Sequence, residues 1–198
     1  DAKVAFLYPG QGSQYPDMLR DLATQFREAN ACFELADATL RDAFPASLSK
    51  LIFPPPMFDD AARATAAEAL KATNVAQPAL GVCNVAMTRV LASVGVRPAM
   101  AAGHSYGELV ALHAAGALDE ASLYELAFRR GDAIVALTRD SAGRELGQML
   151  AVSADKAATA TQLKGLSDVW LANENSPTQT IVSGTKAGLA ALAEKLKA

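Results

Sequence analysis

Hydrophobic and polar positions in the first part of the chain alternate between short apolar runs and longer segments with helical spacing. Residues 3–8 form an apolar run that is rich in strand formers and ends at Pro9-Gly10, which predicts a buried strand followed by a glycine loop. Apolar residues at helical spacing predict two helices within residues 18–44, with a break near Asn30. The chain therefore begins as a strand followed by helices.

The pattern continues through irregular and helical segments to a second strand. Three consecutive prolines in residues 51–58 predict an irregular crossing, and Asp59 or Asp60 caps an alanine-rich helix over residues 59–71. A long helix is predicted to open at Gln77-Pro78, with the proline near its first position. The remaining predicted elements are a strand at 99–102, a tight turn at GHSYG, a helix at 108–115 and a helix from Asp119 to about Leu137. This order predicts an α/β fold with parallel strands.

The pattern changes after Thr138. Residues 140–147 are charged and contain glycine, which indicates a boundary between a unit at 1–140 and a unit at 141–198. The second unit is predicted to contain strands at 148–152, 169–172 and 180–182, a polar turn at 173–177, and helices at 154–163 and 186–197. This is the order of a split βαβ unit without its last strand, so we expect the chain to be incomplete at its C-terminus.

Composition and charge exclude several classes of function. The chain has 198 residues and a formal net charge of −3, which does not favour binding to nucleic acid. Cys32 and Cys83 match no metal-binding spacing, so two buried thiols in a reducing compartment are expected, with no metal site. The N-terminus does not resemble a signal peptide, and the apolar stretches look too short to span a bilayer. We therefore expect a cytoplasmic protein without a membrane partner.

The segment Gly103-His104-Ser105-Tyr106-Gly107 lies between a predicted strand and a predicted helix. A nucleophile elbow needs small residues on both sides of the nucleophile because the strand turns sharply into the helix. Such a turn exposes the Ser105 hydroxyl near the positive end of a helix, and the backbone N–H of Tyr106 could stabilise an oxyanion. A serine that only caps a helix between packing glycines explains the same five residues.

A second glycine loop, PGQGSQ, follows the first predicted strand. It does not match the dinucleotide-binding pattern, because Tyr15 occupies the position of the third glycine, and it lacks the Lys-Ser/Thr pair of a P-loop. Such a loop could direct a backbone N–H towards a ligand oxygen, or it could be a plain strand–helix connection.

Together these segments resemble a known family. The motifs PGQGSQ, AQPAL, GHSYGE, RRG and NENSPTQTIVSG occur in the order found in acyl-CoA:acyl carrier protein acyltransferases, which include malonyl transacylases and the acyltransferase domains of polyketide synthases. The resemblance implies a hydrolase-like large subdomain with an inserted ferredoxin-like small subdomain. It also implies transfer of a malonyl unit from CoA through an acyl-Ser105 ester to the phosphopantetheine thiol of an acyl carrier protein. The elbow alone would also suit a serine esterase or thioesterase.

The resemblance assigns a role to each matching residue. Ser105 corresponds to the acylated nucleophile, and the backbone N–H groups of Gln11 and Tyr106 correspond to the oxyanion hole. Arg130 corresponds to the arginine that binds the free carboxylate of malonyl groups, a role that suits a planar guanidinium. Without the resemblance, Arg130 would be interpreted as a solvated helix residue.

Two further residues are substrate-binding candidates. Gln77 corresponds to a glutamine that lines the cleft, although it could simply be a residue near a helix N-terminus. His104 adjoins the nucleophile, and its side chain is expected to leave the elbow in another direction. The turn at Asn175-Ser176-Pro177 matches a loop of the family, and an Asx-type turn explains it equally well.

The family's catalytic histidine corresponds to a segment downstream of residue 198. The sequence has two histidines, His104 and His113, and neither is expected to reach Ser105 as a general base. We therefore expect these residues alone to be poorly active. The segment GHSYGEL, which contains Tyr106, together with the segments PPMFD and ATNVAQPALG, most resembles iterative synthases of the enediyne polyketide or polyunsaturated fatty-acid type, with the enediyne type favoured. The implied partners are malonyl-CoA, an acyl carrier protein, neighbouring synthase domains and the missing part of the domain; CoA and phosphopantetheine enter with the substrates, and no cofactor is bound.

Overall fold

Fourteen helices and strands are found among residues 3–139, 143 and 145–197, which the computed structural model describes. They belong to two units, Asp1–Leu137 and Thr138–Ala198. The boundary predicted between residues 140 and 141 lies outside the described residues. The elements assigned to the first unit, of which the last extends past Leu137, are β1 (Ala5–Tyr8), α1 (Arg20–Gln25), α2 (Arg27–Thr39), α3 (Leu48–Ile52), α4 (Asp60–Ala69), α5 (Thr73–Ser93), β2 (Met100–Gly103), α6 (Gly107–Ala114) and α7 (Glu120–Arg139). Those of the second are β3 (Gln148–Val152), α8 (Lys156–Leu163), β4 (Val169–Ser176), β5 (Gln179–Gly184) and α9 (Lys186–Lys197).

The two strands of the first unit are parallel neighbours. Ala5 pairs with Met100 and Tyr8 pairs with Gly103, so both strands end at the same edge of the sheet. The backbone N–H of His104 extends this pairing by donating to the Tyr8 carbonyl at 3.0 Å. The glycine loop after β1 and the elbow after β2 therefore leave the sheet side by side, at the edge where ligands bind in parallel α/β sheets.

Helix α5 is the centre of the hydrophobic core of the first unit. Every residue from Ala76 to Ala86 is buried, because α2, α3 and α6 pack around it. The expectation that every apolar stretch is too short to span a bilayer is wrong, since α5 has the length and hydropathy of a membrane span. However, 72% of its apolar window is buried inside the protein, which is the character of a core helix.

Two predicted boundaries in this unit are wrong. The long helix begins at Thr73, so Pro78 lies inside α5 rather than at its first position. The ring is buried, and Pro78 leaves the Asn74 carbonyl without its usual donor four residues later. The break between α1 and α2 falls at Phe26, whose backbone is extended, and not near Asn30. Asn30 is compatible with a helix because its side chain donates to Glu34 one turn later.

The described caps and thiols agree with the sequence. The Asp59 carboxylate accepts from the backbone N–H of Ala62 and caps α4, and Asp119 accepts from Ser122 in the same way before α7. Cys32 and Cys83 are free and buried. Burial raises the pKa of the Cys32 thiol to about 12, so this thiol is not a reactive nucleophile.

One carboxylate is buried where α7 meets α5. Glu120 has a relative exposure of 7% and forms an ion pair with Arg89. The hydroxyl of Tyr124, one turn further along α7, donates to the other carboxylate oxygen at 2.7 Å. The Glu120 carboxylate thus joins α5 to α7 at the edge of the core.

In the second unit, β5 lies between β3 and β4 and is antiparallel to both. Strands β3 and β4 are therefore parallel to each other and are connected through α8 with another strand between them, which is the split βαβ arrangement. The predicted turn at residues 173–177 is wrong for most of its length, since β4 continues to Ser176 with two irregularities in its register. Its polar residues are compatible with a strand because they are exposed at the edge of the described sheet.

Candidate active site

Ser105 has a backbone conformation that is rare for a side-chain-bearing residue. Its φ angle is 54°, in the left-handed region, and its side chain is exposed between β2 and α6. Left-handed backbone costs about 1–2 kcal/mol for such residues and persists where the surroundings enforce it, often at functional sites. The strain makes the sharp strand–turn–helix connection at Ser105 a candidate functional site.

The two flanking glycines explain how the chain turns so sharply. A Cβ atom on Gly103 would overlap the backbone of Gly107, and a Cβ atom on Gly107 would overlap the Tyr8 carbonyl. Both positions therefore require glycine because of close backbone approach. The backbone N–H groups of Gly107 and Glu108 donate to the carbonyls of His104 and Ser105 and begin the helical turns of α6.

The glycine loop after β1 lies against the elbow. A Cβ atom on Gly10 would be 2.5 Å from the His104 carbonyl oxygen and 3.3 Å from the Cβ of Ser105. Gln11 is the next residue, and its side-chain amide lies 3.3 Å from the Thr73 hydroxyl at the start of α5. The structure therefore brings the loop that carries Gln11 next to Ser105, as the sequence predicted. His104 is exposed, and its Nδ1 lies 3.4 Å from the same Cβ position on Gly10.

Tyr106 in the elbow and Gln77 on α5 are both buried. Tyr106 is 1% exposed, and burial raises the pKa of its phenol, while the positive charge of Arg130 acts in the opposite direction. Gln77 is 2% exposed on α5. Among the described residues, neither the Tyr106 hydroxyl nor the Gln77 Oε1 has a hydrogen-bond partner.

Arg130 is exposed on α7, close enough for its charge to influence Tyr106. Its neighbour Gly131 packs on the first turn of α5: a Cβ atom there would be 2.6 Å from the Thr73 carbonyl oxygen and 2.5 Å from the Asn74 Cα. This contact fixes α7 on the helix end that also contacts the Gln11 side chain. No salt bridge of Arg130 is found in the described part of the chain.

His113 is separate from this group. Its Nδ1 lies 2.9 Å from the carbonyl of Leu118, beyond the end of α6, so this nitrogen contacts the connection between α6 and α7. His113 therefore has a local structural contact.

Within the described ranges there is no cluster of three His, Cys, Asp or Glu side chains that could hold a metal ion.

Sequence reasoning missed Gly81 and Thr73, which contact Tyr106 and Gln11 respectively. A signal for Gly81 was present, since glycine inside a helix costs about 1 kcal/mol relative to alanine and needs a packing reason. No comparable signal marks Thr73, because it lies outside the helix that the sequence predicted.

We expect Gly107→Ala to abolish the reaction of Ser105 with a serine-reactive probe. The new methyl group would push α6 away from β1, which should lower the melting temperature by several degrees, as expected for a clash of about 1–3 kcal/mol. Thermal unfolding and reaction of Ser105 with a fluorophosphonate probe would measure both effects. Gly95→Asn is the control, because no atom lies within 4 Å of the Cβ position of Gly95 and asparagine tolerates its φ of 84°. Equal stability and equal labelling in the two variants would contradict the close approach of Gly107 to the Tyr8 carbonyl.

A strained serine between two tightly packed glycines, at the carboxyl edge of parallel strands, has the geometry of a nucleophile elbow in an α/β protein. The chain belongs to the acyl transferase domain family, whose sequence profile matches residues 5–198. It is 35% identical over 204 residues to the malonyl CoA-acyl carrier protein transacylase of Bacillus subtilis (strain 168), a match that covers 99% of this chain and 58% of that protein. It is 32% identical over 196 residues to a polyunsaturated fatty acid synthase protein of Thraustochytrium sp. (strain ATCC 26185 / S-3), covering 96% of this chain and 7% of that protein.

The fold agrees with solved structures of the same family. The acyltransferase domain from the second module of the salinomycin polyketide synthase superposes with a TM-score of 0.80 at 32% identity, over 100% of this chain and 42% of that one. The chain therefore has the α/β fold of acyltransferase domains, with a large and a small subdomain, and it spans less than two thirds of the length of these relatives.

Proposed function

We propose that the protein transfers a malonyl unit from CoA to an acyl carrier protein through an ester on Ser105, as part of polyketide biosynthesis. The observation that carries this proposal is the left-handed Ser105, which lies against the loop that contains Gln11. Membership of the acyl transferase domain family supports it, as do relatives named as malonyl transacylases and polyketide synthase domains. We place the reaction in the cytoplasm.

In the first half of the proposed reaction, the Ser105 Oγ attacks the thioester carbonyl of malonyl-CoA and gives up its proton to a base. The resulting oxyanion accepts hydrogen bonds from the backbone N–H groups of Gln11 and Tyr106, each of which can contribute about a hundredfold or more. The C–S bond then breaks, CoA leaves as a thiol after receiving the proton, and malonyl-Ser105 remains. The N-terminus of α6 adds a favourable dipole at this point.

In the second half, the phosphopantetheine thiol of the carrier protein attacks the ester and transfers its proton through the same base. The Ser105 oxygen leaves and is protonated, which regenerates the enzyme. Neither half requires a bound cofactor. His113 lies near the end of α6 opposite to Ser105, roughly 10 Å along the helix, so we propose that it is not the base and that a residue outside the described ones supplies it. Residues 1–198 alone should then be acylated slowly.

Arg130 is proposed to bind the free carboxylate of the malonyl group, with Gln77 and His104 as further contacts to the substrate. Its exposed guanidinium has no salt-bridge partner within the described residues, and its positive charge acts on the phenol of Tyr106, the residue that follows Ser105. A bidentate pair with a carboxylate would favour malonyl over acetyl groups.

Arg130→Ala is expected to lower kcat/KM for malonyl-CoA by about tenfold to a hundredfold, while acetyl-CoA is affected less, because a charged hydrogen bond contributes about 1.5–3 kcal/mol. Competition between the two thioesters in the full-length protein would measure the change in preference. Arg129→Ala is the matched control, since Arg129 is the preceding residue and pairs with Glu125 on the surface. An unchanged preference for malonyl-CoA would rule out this role for Arg130.

The proposed transfer can be distinguished from hydrolysis by the lifetime of the acyl-enzyme. The full-length protein is incubated with malonyl-CoA, and intact mass is followed with and without a holo acyl carrier protein. The expected result is an adduct that maps to Ser105, persists in water and disappears when the carrier protein is added. Rapid loss to water without transfer would identify an esterase or thioesterase instead.

A further inference from the structure

Helix α5 has a gap in its side-chain surface at Gly81, and the hydroxyl of Tyr106 fills it. A Cβ atom on Gly81 would overlap the Tyr106 hydroxyl oxygen but would lie 3.6 Å from the ring carbon Cζ and 3.8 Å from Cδ1 of Tyr124. The overlap would therefore involve the hydroxyl oxygen alone, since the other two distances are ordinary van der Waals contacts.

Glycine at this position is explained by space and not by backbone conformation. Gly81 lies inside α5, and it is absent from the glycines that have positive φ. Glycine destabilises a helix interior relative to alanine, because it has more backbone freedom to lose. The helix therefore has a less favourable residue where the tyrosine hydroxyl needs room.

The hydroxyl itself is also unfavourable by the usual criteria. The side chain of Tyr106 is 1% exposed, and its hydroxyl has no hydrogen-bond partner within the described ranges. A buried hydroxyl without a partner destabilises a fold, whereas phenylalanine would fill the same ring volume without that cost. The pair Gly81 and Tyr106 thus combines two locally unfavourable residues that fit each other.

The position of this contact connects it to the chemistry. Tyr106 follows the strained Ser105 directly, so anchoring its ring in α5 fixes the direction of its own backbone N–H. The contact between Gly81 and Tyr106 therefore packs the elbow against α5. Through Thr73, the same helix contacts the side chain of Gln11, the second proposed oxyanion donor.

We propose that Gly81 is a positioning residue for the reaction, and that the Tyr106 hydroxyl seated against it sets the distance between α5 and the elbow. This inference rests on the proposed function, in which the Tyr106 N–H stabilises the oxyanion. A side chain at position 81 would displace the ring and move that N–H, and misplacement by a fraction of an ångström weakens transition-state stabilisation more than substrate binding.

The test is a double-mutant cycle of Gly81→Ala and Tyr106→Phe in the full-length protein. With Tyr106 intact, Gly81→Ala should lower kcat for malonyl transfer by about tenfold to a hundredfold, with KM for malonyl-CoA changed by less than about twofold. In the Tyr106→Phe background, the new methyl group faces Cζ at 3.6 Å, so the same substitution should change kcat by less than about twofold. The effect on thermal unfolding should also change sign. Gly81→Ala should lower the melting temperature when Tyr106 is intact and raise it by roughly 2–4 °C in the Tyr106→Phe background, because alanine favours the helix.

An equal loss of kcat in both backgrounds, or no loss with Tyr106, would overturn the proposal. A loss confined to stability, with unchanged kcat per folded molecule, would also overturn it, because it would leave Gly81 with a packing role only. Failure of the parent protein to form malonyl-Ser105 would instead refute the proposed function. In that case the unfolding cycle still tests the fit between the two side chains.

Discussion

Ser105→Ala should remove the acyl adduct and lower the rate of malonyl transfer by at least about a thousandfold, since loss of a catalytic serine abolishes the covalent route. The fold should change little, because alanine and serine have the same difficulty with a φ of 54° and the side chain is exposed. Intact mass after incubation with malonyl-CoA would measure the adduct, malonyl transfer to a holo acyl carrier protein would give the rate, and thermal unfolding would measure stability.

Ser93→Ala is the matched control for this prediction. Ser93 is also exposed, and its hydroxyl donates to the Val90 carbonyl at the end of α5, about three turns beyond Gly81. It should retain transfer while altering stability by about 0.5 kcal/mol or less. Malonyl transfer that survives in Ser105→Ala would exclude the ester mechanism for this protein.

Glu120→Ala is expected to lower the free energy of unfolding by about 2–4 kcal/mol. The substitution removes a buried carboxylate and leaves the Arg89 guanidinium without its partner and the Tyr124 hydroxyl without its acceptor. Nearly half of the Arg89 side chain remains accessible to water, which limits the loss relative to a fully buried pair. Urea denaturation would measure the change.

Glu125→Ala, on the same helix, is the control for that measurement. Glu125 forms a surface pair with Arg129 at 3.5 Å, and both side chains are more than half exposed. Surface pairs of this kind contribute about 0–1 kcal/mol. If the two alanine variants were equally stable, the Glu120 carboxylate would not be the connection between α5 and α7 that its contacts indicate.

The elements that the sequence predicted correctly depend on local signals. Asp59 and Asp119 cap helices because a short carboxylate reaches the next turn wherever it precedes a helix. The elements predicted wrongly depend on tertiary contacts. Helix α5 begins before Pro78 because its first turn packs closely against Gly131, a residue far away in sequence. Strand β4 extends through polar residues because β5 pairs with them, which no local pattern indicates.

The candidate site divides in the same way. The elbow could be predicted because a sharp turn from a strand into a helix leaves no room for side chains on either side of the serine. The approach of the Gln11 loop could be expected from two parallel strands that end at the same edge. The roles of Arg130 and Gln77 came from the family resemblance and stay predictions. The fit between Gly81 and Tyr106 required coordinates, because it depends on where one oxygen atom lies.

The sheet of the second unit has a consequence for synthesis on the ribosome. Among the described residues, β5 is both the central strand and the last of three in chain order, and β3 and β4 pair with it but not with each other. Neither β3 nor β4 can form its backbone hydrogen bonds with β5 until residues 179–184 have emerged from the ribosome. We therefore expect the described sheet to form only after β5 has been synthesised. Until then, the backbone of β3 and β4 should stay accessible to chaperones.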